Sequence, residues 1–233
     1  MNWTAVIPFK GSAARKTRLE SRLGMKERQR LSQELFAHVV SVLRQTPMLR
    51  DVALLSDMRP NRWQGPFIRD EGRGLNAELN ALVESQRPTR LLVIHADLPL
   101  VSVDDIAALI VGDGAACTIA PDRHGTGTNA LALVEPLGFE FAFGPNSFTR
   151  HCAAAYGNAR VVTRPGLGLD VDTADDLDAA ISAGFTSAWT DSRVACKLPI
   201  RRFTCPVSRG GRRARHLIVE SLCAYNAHTG GRA

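Results

Sequence analysis

A single α/β domain, with a mainly parallel sheet flanked by helices, is the fold class that this sequence predicts, and three observations predict it. Short apolar runs alternate with amphipathic stretches of helical length, the pattern of repeated βαβ units. Glycines, basic residues and carboxylates cluster directly after the apolar runs, where open α/β sheets place their ligands. The 233 residues, 45% of them hydrophobic, suffice for one well-buried core with an appendage.

Residues 3–9 form the first apolar run and read as a strand, followed by a basic loop holding Lys10, Arg15, Lys16 and Arg18. A helical pattern then spans about 26–45, with Leu31, Leu35, Val39 and Val42 near one face. Strands at 52–56 and 67–69, a helix at 75–85 and a strand at 90–95 continue the alternation. Ser102 with Asp105 has the form of a capping box opening a helix over 103–111, and Thr173 with Asp176 repeats it. Between them, strand-like segments flank residues 121–129, and 148–156 reads as a helix with Ser147 at its N-cap. The last helix runs to about Ala183, where Gly184 suits its termination. The folded body is therefore expected over 1–184. Residues 185–233 scatter their apolar positions among Gly, Pro and Arg; a short helix over 214–225 competes there with the expected flexible, basic tail.

The charge is equally local. Of 29 Lys and Arg and 23 Asp and Glu, nine bases and two acids lie beyond Gly184, leaving 20 and 21 in a near-neutral body. With no aromatic residues interleaved among the tail arginines, no specific nucleic-acid site is expected, although weak, salt-sensitive RNA binding by the tail is an alternative. No apolar run approaches a membrane span, and the start lacks a secretory layout, so a cytoplasmic, membrane-free protein is expected. Cys196, Cys205 and Cys223 match no common zinc spacing, and with Cys117 and Cys152 they read as free thiols.

Several clusters carry potential chemistry. The cations from Lys10 to Arg18 suit a polyphosphate, or a solvated loop. In 70–77, glycines such as Gly74 let a nucleotide approach the backbone, and Asn76 offers a donor and an acceptor to a base edge; the same residues make a flexible turn and helix start. Asp97 ends the run 91–96, and Asp170 and Asp172 share a side if their segment is extended. The three carboxylates suit Mg²⁺, a hard ion that keeps positions for water and phosphate, while each also fits helix capping. Thr126 and Thr128 suit a loop that grips an anion, although a hairpin has similar composition and would leave the hydroxyls without purpose. His151 reads as a packing or surface residue, and no Ser or Cys has an activating partner.

Together, Pro8-Phe9-Lys10 with the basic loop, Asp70 to Ala77, Ala96-Asp97-Leu98-Pro99-Leu100, Pro121-Asp122-Arg123 with Gly125 to Asn129, Phe143-Gly144 with Ser147 and His151, and Asp170-Val171-Asp172-Thr173 resemble one family. It is the CofC/FbiD family of guanylyltransferases in coenzyme F-420 biosynthesis, and the resemblance covers roughly 3–183. It implies a Rossmann-like domain similar to nucleotide-diphospho-sugar transferases. It also implies transfer of GMP from GTP to 2-phospho-L-lactate, phosphoenolpyruvate or 3-phospho-D-glycerate, with release of diphosphate. The product would pass to the transferase that joins it to the deazaflavin precursor.

By motif position, the resemblance makes Asp97, Asp170 and Asp172 the Mg²⁺ ligands, and Thr128, Gly144 and Ser147 the groups that hold the acceptor. Asp97, Lys10 and Arg15 become the expected catalytic groups, and Lys10, Lys16, Gly74 and Asn76 the nucleotide contacts. No general base is needed, because a phosphomonoester with a second pKa of about 6 is already anionic. His95, His151 and Cys152 would favour a hydroxylated acceptor such as 3-phospho-D-glycerate. A related nucleotidyl or sugar transferase on the same scaffold is the nearest alternative.

Overall fold

The computed structural model describes residues 2–10, 16–112 and 114–187. Arg15, Cys196, Cys205, Cys223 and the expectations for the tail from residue 188 onward lie outside them.

Seven strands form one sheet in the order β3-β2-β1-β4-β6-β5-β7: β1 (Trp3–Pro8), β2 (Leu49–Ser56), β3 (Phe67–Arg69), β4 (Arg90–Ile94), β5 (Cys117–Pro121), β6 (Thr128–Val134) and β7 (Ala159–Val161). The pairs β1·β2, β1·β4, β2·β3 and β5·β7 are parallel, and β6 runs antiparallel to both of its neighbours. The helices are α1 (Met25–Gln45), α2 (Leu75–Gln86), α3 (Val103–Ile110), α4 (Ser147–Ala154), α5 (Pro165–Gly168) and α6 (Ala174–Ser182), with a 3₁₀ turn over Thr17–Leu19.

The central strands are apolar on both faces because both are covered. Ala5, Ile7, Leu54, Leu92 and Ile94 pack against Val39 and Leu43 of α1 and Ile106 and Leu109 of α3. Val6, Ala53, Leu55 and Val93 face the other way, toward Leu79, Leu82 and Val83 of α2 and toward Phe141 and Phe143. A third cluster joins Leu19, Leu31 and Leu35 to Leu169, Val171 and Leu177, tying the chain after β1 to the segment before α6.

Both expected capping boxes form. Asp105 Oδ2 accepts from the Ser102 N–H at 2.9 Å, and Asp176 Oδ2 accepts from the Thr173 N–H at 2.7 Å. After α6, Gly184 takes φ 102°, and the Phe185 N–H reaches back to Ala180 O at 2.9 Å, a turn that needs glycine at the left-handed position. Three expectations need correction. The N-cap of α4 is Asn146 at φ 56°, and Ser147 is already helical. Strand β2 starts at Leu49 rather than residue 52. Residues 122–127 are the turn of an antiparallel hairpin, and the Thr126 hydroxyl has a purpose there: it donates to Asp122 Oδ2 at 3.1 Å, while the Thr126 N–H donates to Oδ1 at 2.8 Å. Among the described residues, no helix is long and apolar enough to cross a membrane.

Candidate active site

The chain leaves β1 for β2 on one side and returns as β4 on the other, so a switch point lies beyond the carboxyl ends of β1 and β4. A cavity of about 270 Å³ opens there, lined by Pro8, Phe9, Lys16, Leu75, His95, Asp97 and Asp172. Asp97 follows β4, and its carbonyl accepts from the Val171 N–H at 3.1 Å, which carries the Asp170–Asp172 segment to the same place.

Lys16 binds the cluster together. Its side chain is 8% exposed, and Nζ lies 3.2 Å from Asp97 Oδ2 and 3.6 Å from Asp172 Oδ1, with Val171 O as a third partner. Burial opposes the charge on Asp97, yet Lys16 and His95 outweigh it and hold the carboxyl below the usual carboxylate range. Asp170 is pushed the other way, by burial and then by the charge of Asp97, with one hydrogen bond from Asn129 Nδ2 at 3.2 Å in opposition. Asp97 Oδ1 is buried without a hydrogen-bond partner. Among the described residues no three of His, Cys, Asp and Glu stand close enough together to hold a metal ion as placed; the Lys16 ammonium fills the gap between Asp97 and Asp172.

Lys10 follows β1 with half of its side chain exposed and pairs with Asp70 at 3.4 Å. Gly74 precedes α2 at φ 93°, a conformation that favours glycine. Asn76 does not present an open amide edge. Its Oδ1 accepts from the Phe143 N–H at 2.8 Å and its Nδ2 donates to Phe143 O at 3.0 Å, so it clamps a backbone where a base was expected. Thr128 and Ser147 are buried, and Ser147 N–H donates to Gly144 O at 3.1 Å, which brings Thr128, Gly144 and Ser147 into one region with His151. His151 is fully buried and bonded at both ring nitrogens, which removes it from the exposed polar lining expected to favour a hydroxylated acceptor. Cys117 and Cys152 are free thiols, and burial pushes Cys117 up to about 12, in keeping with chemistry that uses no thiolate.

Three residues organise the site in ways the sequence reading did not anticipate. Glu78 is buried in α2, where its carboxylate accepts from the Glu71 and Arg73 N–H groups and pairs with the Arg73 guanidinium at 2.7 Å, shaping the loop before Gly74. Asn129 Nδ2 faces Leu167 O at 2.9 Å as well as Asp170, which fixes that carboxylate. Asp176 accepts from the Asp172 N–H at 3.1 Å and pairs with Arg123. Only Asp176 had a signal, its capping box.

The family model for CofC-like guanylyl transferases matches residues 3–188. The chain belongs to that family. A phosphoenolpyruvate guanylyltransferase of Rubrobacter xylanophilus is 36% identical over 201 residues, covering 79% of this chain and 96% of the relative. One from Roseiflexus castenholzii is 34% identical over 185 residues, covering 76% and 87%. Solved structures share the fold. A candidate nucleotide-diphospho-sugar transferase of Desulfovibrio desulfuricans has a TM-score of 0.63 at 14% identity, covering 81% of this chain and 90% of its own. A nucleotidyl transferase from Methanothermobacter has 0.58 at 16%, covering 78% and 99%. As a member of the CofC-like family, the chain has guanylyl transfer as its reaction class, on a fold that it shares with the candidate nucleotide-diphospho-sugar transferase.

Proposed function

We propose that this protein transfers GMP from GTP to a three-carbon phospho-acid, with phosphoenolpyruvate ahead of 2-phospho-L-lactate and 3-phospho-D-glycerate, and releases diphosphate. The observation that carries the reading is the Lys16 ammonium set between Asp97 and Asp172 at the switch point. A cation flanked by one carboxylate after β4 and another just before α6 suits the handling of a polyphosphate and a divalent ion together. The names of the 36% and 34% identical relatives favour phosphoenolpyruvate, and the burial of His151 removes one of the three residues that favoured a hydroxylated acid.

The donor chemistry suits Mg²⁺, with carboxylates of which one has a buried oxygen that lacks a hydrogen-bond partner, but as placed no three of them close on one ion and the Lys16 ammonium stands between Asp97 and Asp172, so metal binding there would require Lys16 to give way. Asp97, Asp170 and Asp172 would hold the ion, which would screen the phosphates and draw charge from the α-phosphorus. Asn129 and Asp176 orient the Asp170–Asp172 segment. Lys16 supplies positive charge within the cavity, and Lys10, with Arg15 near it in sequence, would meet the β- and γ-phosphates. Gly74 and its loop would receive the nucleoside, while Thr128, Gly144 and Ser147 would hold the acceptor. The acceptor phosphate arrives anionic, so alignment and charge screening are sufficient to promote attack.

The place of the reaction is coenzyme F-420 biosynthesis in the cytoplasm, with the product consumed by a transferase acting on the deazaflavin precursor. The test is diphosphate release with Mg²⁺ and each phospho-acid separately, with GTP against ATP. Release with phosphoenolpyruvate and GTP is expected. Release only with a sugar phosphate, or equal release with ATP, would overturn the reading.

A further inference from the structure

We propose that His151 is a positioning residue that turns the Thr128 hydroxyl hydrogen toward the acceptor's anionic groups; the proposal rests on the phospho-acid reading above. His151 Nε2 lies 3.0 Å from the Ala142 backbone nitrogen, which can only donate, so Nε2 must offer a lone pair. Burial pushes the imidazole down to about 4, so the ring is neutral at physiological pH. A neutral ring with a bare Nε2 carries its hydrogen on Nδ1, and Nδ1 lies 3.0 Å from Thr128 Oγ1.

Thr128 therefore accepts from His151, and its own hydrogen must be donated elsewhere. That direction matters. With the opposite tautomer the hydroxyl would donate into the ring and leave no hydrogen for a ligand. Thr128 is almost completely buried, where an unmatched donor is costly; on the phospho-acid reading, an oxyanion of the acceptor would supply the matching group. The ring cannot swing to exchange its nitrogens: Phe143 meets it edge-on at 4.7 Å between centroids, and Asn76 holds the Phe143 backbone from the other side.

Two half-replacements separate this role from packing. In His151→Asn the shorter amide stands near the Nδ1 position and keeps a donor for Thr128; in His151→Gln the longer amide reaches the Nε2 position and keeps an acceptor for Ala142. Both lose the ring against Phe143, so lost packing is common to them. The KM for phosphoenolpyruvate is expected to rise about 10- to 100-fold in His151→Gln, with the KM for GTP unmoved, and to stay well below that in His151→Asn. Thr128→Val should match His151→Gln, and the double variant should add nothing. Equal rises in the two His151 variants, a parallel rise for GTP, or additivity would overturn the proposal. Two-bond ¹H–¹⁵N spectra of the wild-type protein at neutral pH should show the Nδ1–H tautomer; an Nε2–H ring or an imidazolium would overturn it. The spectra need no variant and no turnover. If the variants do not fold they decide alone, and if none of the three phospho-acids is consumed, the phospho-acid reading fails while the tautomer is still decided.

Discussion

Lys16 Nζ stands 3.2 Å from Asp97 Oδ2 although 81 residues separate them, and the same ammonium lies 3.6 Å from Asp172 Oδ1. One side chain from the loop after β1 thus neutralises carboxylates that follow β4 and precede α6.

Removing that cation while keeping its length should expose the imbalance. Lys16→Met is expected to lower kcat/KM by at least about 100-fold and to cost on the order of 1–3 kcal/mol in stability. Asp97 is held below its ordinary range, so its contribution is present at neutral pH and is lost as its folded-state range is crossed from above. The gap between wild type and variant in urea midpoint should therefore be full at neutral pH and close as pH falls below about 4. A gap independent of pH would mean that Lys16 acts through packing.

Asp97→Asn keeps the shape of the side chain and removes its charge. Turnover should fall about 1000-fold or more, with the circular dichroism spectrum unchanged. Mg²⁺ should raise the melting temperature of the wild-type protein and not that of the variant, because the proposed Mg²⁺ site needs the Asp97 carboxylate. Equal Mg²⁺ shifts in both proteins would take Asp97 out of the metal site.

Glu78 offers a second pH test away from the carboxylate cluster. Its hydrogen bond with Arg73 outweighs burial and lowers its pKa to about 2. Its stabilisation is therefore present above about 4.5 and is lost as pH falls toward 2. Glu78→Gln should cost about 2 kcal/mol at pH 7, and the difference in urea midpoint should shrink steadily below pH 4.5. A constant difference would point to steric disturbance of the Glu71–Arg73 backbone instead.

Asn76→Ala separates a clamp from a base reader. Two hydrogen bonds to Phe143 would be lost, so the melting temperature should fall and stability drop by about 1–3 kcal/mol. The preference for GTP over ATP should survive. Loss of that preference without loss of stability would restore Asn76 to the guanine.

Much of the scaffold was legible because short-range chemistry wrote it. Ser102 with Asp105 and Thr173 with Asp176 announce helix starts within three residues, and the apolar runs of β1 and β4 show strands buried on both faces. Asp97 was legible as a strand-end carboxylate; Asp170 and Asp172 were read the same way but follow α5 rather than a strand, and the backbone bond from the Val171 N–H to Asp97 O brings their segment alongside Asp97. What stayed hidden depends on direction in space. An amide at Asn76 suits a base or a peptide equally, and only the fold brings Phe143 to it. The hydroxyl of Thr126 could face an anion until the hairpin turned it onto Asp122. Strand β7 is three residues long and, among the described residues, pairs only with β5, so nothing local marks it.

The reversal of β6 has an evolutionary consequence. Its register is held on both sides, Ala130 opposite Ile94 of β4 and opposite Ala120 of β5. The tip at His124 and Gly125 can therefore lengthen or shorten while Thr128 and Asn129 keep their places. The half built on β1 to β4 is tied into parallel crossovers that tolerate little change in length, whereas the half proposed to hold the acceptor ends in an adjustable fingertip. If the acceptor lies where it is proposed to, descendants of this scaffold could acquire new acceptors by editing a few exposed residues, with the chemistry at Asp97 left intact.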